Sequence, residues 1–227
     1  VERNVFNITP TLNFRYNFDK MTQLQVTYRG NTSQPSMTNL LDITDDSDPL
    51  NIRKGNPGLK PSFSNNLSMF FNTYNAEAQR GIFTHLNFSM TNNSVANLVE
   101  YDEATGVTTT TPQNIDGNWN VFGMFGINTA LDEGKFFTLN SYTNASYNNN
   151  VGYYFDRQIN ESVKSKTRNL TLGQRLELGY RNDWFEASLN GNVNYNHSRN
   201  NVVKNNDLDT WNFSYGGPRK AFKKVCR

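Results

Sequence analysis

Ile8-Thr9-Pro10-Thr11-Leu12-Asn13-Phe14-Arg15-Tyr16-Asn17-Phe18 alternates from end to end. Ile8, Pro10, Leu12, Phe14, Tyr16 and Phe18 fall on one face of an extended chain. Thr9, Thr11, Asn13, Arg15 and Asn17 fall on the other, because successive side chains of a strand point to opposite sides. The run has the length of a tilted strand that crosses a bilayer, about 9–11 residues. An ordinary soluble strand is about half as long.

The same period recurs along the chain. Leu24, Val26 and Tyr28 alternate with Gln23, Gln25, Thr27 and Arg29, and Phe63, Leu67, Met69 and Phe71 with Ser64, Asn66 and Ser68. Ile82, Leu86, Phe88 and Met90 oppose His85, Asn87, Ser89 and Thr91, and Trp119, Val121, Phe125 and Ile127 oppose Asn118, Asn120 and Asn128. Leu170, Leu172, Leu176, Leu178 and Tyr180 oppose Asn169, Thr171, Arg175 and Glu177. Phe185, Ala187, Leu189, Val193 and Tyr195 oppose Glu186, Ser188, Asn190, Asn192, Asn194 and Asn196. Weaker strands are expected near Phe137–Tyr147 and Trp211–Tyr215. Thr84 and Gln174 interrupt apolar faces, and Phe70 and Phe122 interrupt polar ones.

Composition fits two separated surfaces. Only 36% of the 227 residues are hydrophobic and the mean hydropathy is −0.72, yet aromatics reach 13%. Asn is roughly one residue in six, far above ordinary usage. An amide and hydroxyl face is cheap to hydrate, so it suits a watery lumen, while the apolar face meets lipid. The fold class expected is all-β: an antiparallel up-and-down transmembrane β-barrel, partial, with about nine strands. Residues 1–217 are expected to form it, and 218–227 a basic tail without the period.

The connections alternate in length. Short ones fall at Asp19-Lys20, Asn75–Arg80, Asp132–Gly134 and Arg181–Asp183; long ones span Gly30–Pro61, Asn92–Gly117, Asn148–Lys166 and His197–Asp209. Short periplasmic turns and long extracellular loops are the habit of outer-membrane barrels. Val95 to Tyr101, a turn at Glu103–Gly106 and a return from Val107 predict a hairpin inside the second long loop. Phe18, Tyr74, Phe137, Tyr180 and Phe185 flank the short turns, and Tyr28, Phe63, Trp119, Tyr195 and Trp211 lie near the long loops, as two interfacial girdles would require.

The first long loop runs through Asn31-Thr32-Ser33-Gln34-Pro35-Ser36 and Asp48-Pro49-Leu50-Asn51-Ile52-Arg53-Lys54 to Gly55-Asn56-Pro57-Gly58-Leu59-Lys60-Pro61. This stretch resembles the extracellular loop and following strand of TonB-dependent outer-membrane receptors, most closely the SusC-like importers. The family loop motif is carried by Gly55, Asn56, Pro57, Leu59, Lys60 and Pro61. Turn chemistry alone explains much of it: the prolines fix φ and the glycines permit unusual φ, which makes a stiff entry into the next strand. The resemblance implies the outer membrane as location and outer-membrane lipid as surroundings. For the full-length protein it also implies a plug, the TonB complex and a surface lipoprotein. Neither a plug nor a TonB-engaging segment is expected in these residues, and the polar opening Val1-Glu2-Arg3-Asn4 does not read as a signal peptide, so for an exported protein the start is expected to be missing from this sequence. The tail Pro218–Arg227 is expected to be foreign to the barrel.

Other chemistries find little footing. Net charge is +2, which gives no basic stripe for nucleic acid. The lone Cys226 excludes an internal disulfide, and no apolar run is long enough for a membrane helix. His85 and His197 lack neighbours at metal spacing, and no nucleophile elbow or phosphate loop appears. No enzyme, cofactor or metal is expected. Asp42, Asp45, Asp46 and Asp48 form the densest acidic group, without calcium-loop spacing. Lys164, Lys166 and Arg168 could meet lipopolysaccharide phosphates. Sequons such as Asn7-Ile8-Thr9, Asn87-Phe88-Ser89 and Asn169-Leu170-Thr171 lie inside strands and follow from Asn and Ser/Thr richness. Nutrient uptake is the leading function. A soluble carbohydrate-binding β-sandwich and a small structural or adhesive barrel are the alternatives. Fractionation separates them: the protein is expected with outer membranes and soluble only in detergent, and recovery in the aqueous fraction would favour the sandwich.

Overall fold

The computed structural model describes residues 7–203, 207–216 and 221–222, the last two by backbone only. The elements are β1 (Thr11–Asn17), β2 (Gln23–Ser33), α1 (Met37–Leu40), β3 (Thr44–Asp45), β4 (Asn51–Lys54), β5 (Ser62–Asn75), β6 (Arg80–Asn92) and β7 (Ser94–Asp102). They continue with β8 (Val107–Ile115), β9 (Asn118–Ala130), β10 (Phe137–Asp156), β11 (Glu161–Arg181), β12 (Phe185–Asn200), β13 (Leu208–Gly216) and β14 (Ala221–Phe222).

Nine strands form one antiparallel meander in the order β1-β2-β5-β6-β9-β10-β11-β12-β13, and β14 pairs with β12 at Phe185 and Glu186. The tail expected at 218–227 lies outside the described residues apart from Ala221 and Phe222. The sheet is not closed: β1 and β13 are its two ends. With an odd number of alternating strands these ends run in the same direction, so neither completes the other as an antiparallel pair.

Register places the alternation. The rows Leu12-Tyr28-Leu67-Phe88-Val121-Tyr147-Leu170 and Phe14-Val26-Met69-Leu86-Gly123-Ala145-Leu172 cross seven strands on one face. This face is uncovered: Leu12, Leu189 and Phe213 are 66, 56 and 72% exposed. The buried large apolar side chains among those described are Leu59, Ile115 and Val151, which belong to the loop end. A sheet with an uncovered apolar face over its length has no sandwich core; it is built to meet hydrocarbon, as in membrane barrels.

The polar guests on this face bond to one another. Thr143 and Gln174 sit opposite each other on β10 and β11 and their side chains are hydrogen-bonded, while Gln174 Nε2 donates to Ser141 Oγ at 3.0 Å. Paired in this way, they avoid the penalty of a lone polar group in lipid. The apolar guests on the polar face also cluster. Phe122 meets His85 edge-on at 6.1 Å, and Phe83 lies 5.9 Å from Tyr142. Gly126 makes room for this patch, since a Cβ there would come within 2.2 Å of the Phe83 ring.

The girdles form, with one correction. Phe137, Tyr180 and Phe185 touch in sequence at 4.9 and 6.2 Å near the short turns. Trp119 stacks on Tyr147 at 5.2 Å, and Tyr195 packs on Trp211 at 4.5 Å, near the long loops. Tyr74, expected in the lower girdle, pairs with Gly81 and so faces the polar side, one residue out of phase with Phe71 and Thr73.

Two boundaries differ from expectation. β1 starts at Thr11 rather than Ile8, since Pro10 has no N–H for a ladder. The expected long connection Asn148–Lys166 is mostly strand: β10 and β11 have 20 and 21 residues, and only 157–160 turn. Their hairpin therefore rises well above the bilayer. Leu176→Arg, near the middle of the apolar face, is expected to destabilise the folded barrel by about 2–4 kcal/mol, and Asn192→Ser on the polar face by less than about 1 kcal/mol. Denaturant titration in lipid vesicles checks the contrast, and equal costs would mean the two faces are assigned wrongly.

Candidate functional site

At the end with the long connections the chain builds a second sheet of four strands, in the order β3-β4-β8-β7. β6 runs into β7 and β8 into β9, so the two pairs make one long hairpin with a bend. The bend sits at Asn93 and Gly117, whose φ values are +52° and +114°. Asn93 N–H donates to the Asp116 carboxylate at 2.6 Å, which holds the bend closed. Above it, the predicted hairpin forms as expected, with 103–106 as the turn. Asp102 accepts from the Thr105 hydroxyl at 2.7 Å and from Ala104 N–H at 2.9 Å. These bonds, the Thr105 hydroxyl first, hold its carboxyl below the usual carboxylate range.

The first long loop joins this hairpin. β4 pairs with β8 in parallel, from Asn51 opposite Thr108 to Arg53 opposite Thr110. Residues 55–61 fasten the join. Asn56 Nδ2 donates to Pro112 O at 2.9 Å, and the Asn56 side-chain oxygen accepts from Gly58 N–H at 2.9 Å. Asn114 completes it, accepting from Lys60 N–H at 2.7 Å and donating to Lys60 O at 3.0 Å. Leu59 is the most buried side chain described, at 1% exposure. A Cβ on Gly55 would meet Leu41 O at 1.7 Å, so no other residue fits there without moving the loop.

The acidic group of this loop serves the local backbone. Asp45 bonds Ser47 at 2.7 Å through the hydroxyl, and Asp48 accepts from Asn51 Nδ2 at 2.8 Å and Leu50 N–H at 3.1 Å. Among the described residues no three acidic, histidine or cysteine side chains are grouped to hold a metal ion. His85 is on the polar wall of the sheet beside Ser68, and His197 is on the outward face beside Asp209.

Two clefts flank the four-stranded sheet. One, of about 730 Å³, is lined by Tyr101, Glu103, Tyr154, Phe155, Arg157 and Asn160, among others. The second, of about 680 Å³, includes Leu41, Ile43, Arg53, Lys54, Asn97 and Pro112. Val99 borders both. The first cleft exists because the β10–β11 hairpin reaches β7: Val99 N–H donates to Ser162 Oγ at 3.2 Å, and Tyr101 meets Phe155 edge-on at 6.2 Å. Aromatic faces beside one carboxylate and one guanidinium can grip an amphipathic, hydroxyl-rich or peptide-like ligand. Sequence reasoning missed Tyr154, Arg157 and Asn160, having placed them in an unstructured connection. The only signal was the Val151, Tyr153 and Phe155 alternation, diluted by Tyr154.

Below the clefts, the polar face of the large sheet is an amide wall. Gly173 lies between Asn144 and Asn194, and a Cβ on it would come within 2.4 Å of the former and 2.7 Å of the latter. Residues 1–224 match the outer membrane protein beta-barrel family. The chain belongs to that family. No curated protein and no solved structure matches it. As a member of the outer membrane protein beta-barrel family it resides in the outer membrane, which fixes the environment of the uncovered apolar face. Such barrels have short periplasmic turns and long extracellular loops, and by that rule the four-stranded sheet stands at the extracellular end.

Leu59→Ala is expected to weaken the join between the two loops by about 2–5 kcal/mol. Limited proteolysis on intact cells should then cut within 34–61, while heat-dependent migration of the barrel on gels stays unchanged. Protection equal to that of the unaltered protein would show that the motif does not hold the loops.

Proposed function

We propose that this chain supplies strands and extracellular loops to a TonB-dependent receptor that imports a scarce nutrient, and that it performs no catalysis. The observation that carries the proposal is the joining of two separate extracellular loops into one sheet, with an aromatic cleft between that sheet and the β10–β11 hairpin. A barrel that only anchors or stiffens has no need of a second sheet with clefts of ligand size. The loop motif 55–61 supports the same reading by its resemblance to SusC-like importers. The amide wall beneath supports passage of a hydrated solute, since it offers hydrogen bonds at low desolvation cost.

In this reading the ligand is held first at Tyr101, Tyr154 and Phe155 and then passes along the Asn-rich wall. Energy comes from the TonB complex acting on a plug inside the complete barrel. Outer-membrane lipid surrounds the strands, a surface lipoprotein is the partner at the clefts, and nucleic acid is not a ligand.

The test is uptake by whole cells carrying the intact gene, with oligosaccharides, peptides and siderophores offered in turn. Uptake of one class is expected to stop when TonB is deleted. Tyr101→Ala with Tyr154→Ala is expected to raise the half-saturating concentration about tenfold, with the same amount of receptor in the membrane. TonB-independent growth on every nutrient tested, with no effect of the double variant, would sink the proposal.

A further inference from the structure

The two clefts open on the same face of the four-stranded sheet. Their lining residues on β7 are Asn97, Val99 and Tyr101, and those on β8 are Thr108, Thr110 and Pro112. Tyr101 stands opposite Thr108, Val99 opposite Thr110 and Asn97 opposite Pro112. Directly opposed residues of a sheet share a face, so all six belong to one floor. β4 widens that floor: Arg53 lies beside Thr110 and so shares the face of Val99. The clefts are therefore two ends of one groove that runs over Val99. The tip of the β10–β11 hairpin walls one end, and residues 38–45 wall the other.

The ends differ in charge. Glu103 lines the hairpin end, and Arg53 and Lys54 line the other. All three are exposed, and among the described residues none has an oppositely charged side chain within 4.0 Å. Asp45, opposite Arg53 on β3, accepts instead from the Ser47 hydroxyl at 2.7 Å. Arg157, on the hairpin wall, also has no carboxylate within 4.0 Å among the described residues. A ligand that spans the groove meets a lone carboxylate first and a pair of cations last.

Length and chemistry narrow the ligand. Glu103 lies four residues beyond Val99 along the chain and two strands away from Arg53, which at ordinary strand spacings is roughly 17 Å. An extended peptide of about five residues covers that distance. Its two ends carry an ammonium and a carboxylate, the charges that the ends of the groove leave unmatched. A neutral sugar chain carries neither. Between the ends, the Thr108 and Thr110 hydroxyls and the Asn97 amide can bond main-chain amides. Tyr101, Tyr154 and Phe155 offer rings to an apolar side chain, and Arg157 favours an acidic side chain near the amino end.

We propose that the groove binds a short extended peptide with free ends, its ammonium at Glu103 and its carboxylate at Arg53 and Lys54. This names the ligand class for the transport proposal and rests on that proposal's assignment of the aromatic cleft as the ligand site.

The test is calorimetric titration of the full-length receptor in detergent. The probe is a synthetic pentapeptide with a glutamate second and a tyrosine third. It is compared with its N-acetylated form, its C-amidated form, a dipeptide and maltopentaose. The free pentapeptide is expected to bind at least about tenfold more tightly than either capped form, since each cap removes a charge-assisted hydrogen bond. Glu103→Gln should weaken the free and the amidated peptides about tenfold and leave the acetylated one unchanged. Arg53→Gln with Lys54→Gln should weaken the free and the acetylated peptides and leave the amidated one unchanged. General damage to the loops would weaken all three alike. Equal affinity for free and capped peptides overturns the proposal, as does a dipeptide or maltopentaose that binds as tightly as the pentapeptide. Should a variant not fold, the capped peptides on the wild type still decide. TonB-dependent uptake of a sugar without peptide binding would sink this proposal and spare transport; peptide binding without TonB-dependent uptake would do the reverse.

Discussion

The inner strands of the large sheet obey one constraint: in hydrocarbon, no backbone N–H or C=O can be left to water, so each must bond to a neighbouring strand. Side chains then have no choice but to alternate, and a slip of one residue would turn every greasy group inward and every amide outward. The rows running from Leu12 to Leu170 and from Phe14 to Leu172 show that register is kept through seven consecutive strands. Residues that break the pattern are tolerated only in company. Thr143, Gln174 and Ser141 share hydrogen bonds on the lipid side, and Phe83, Tyr142, His85 and Phe122 share ring contacts on the other.

Above the bilayer the constraint is lifted, and the chain changes its habits there. The hairpin of β6 to β9 bends at Asn93 and Gly117, both in backbone conformations of positive φ. Past the bend, strands are short, one pairing is parallel, and a small hydrophobic core appears around Leu59, Ile115 and Val151. Side-chain amides do much of the joining: Asn56, Asn114, Asn118 and Asn149 each bond backbone in another segment. The same residue type that wets the wall below serves as mortar above.

The membrane part was legible because its signal is written in every strand. Strand number, antiparallel order, the short turns and the hairpin at 95–107 all follow from alternation and turn residues. The extracellular part was not, because its elements are set by partners far away in the chain. β4 has four residues and exists by pairing with β8. The upper halves of β10 and β11 lose the strict alternation because neither of their faces meets lipid there, so they looked like a loop. Tyr74 misled for a different reason. It sits beside a turn, where a single residue of phase decides the face, and its nearness to the turn outweighed the phase that Met69 and Phe71 already set against it. The turn chemistry of 55–61 marked a stiff loop, but its partner Asn114 stayed hidden, since nothing local marks an Asn that bonds a loop 54 residues away.

The parallel pairing of β4 with β8 ties together two loops that lie far apart in the chain. Insertions or deletions in either one would shift the register of the other, so the two are bound to drift through evolution as a couple. Freedom to vary is left to the turns at 103–106 and 157–160, which stand at the rim of the aromatic cleft. Changes of length and sequence can therefore be absorbed at those tips while the joined base stays the same.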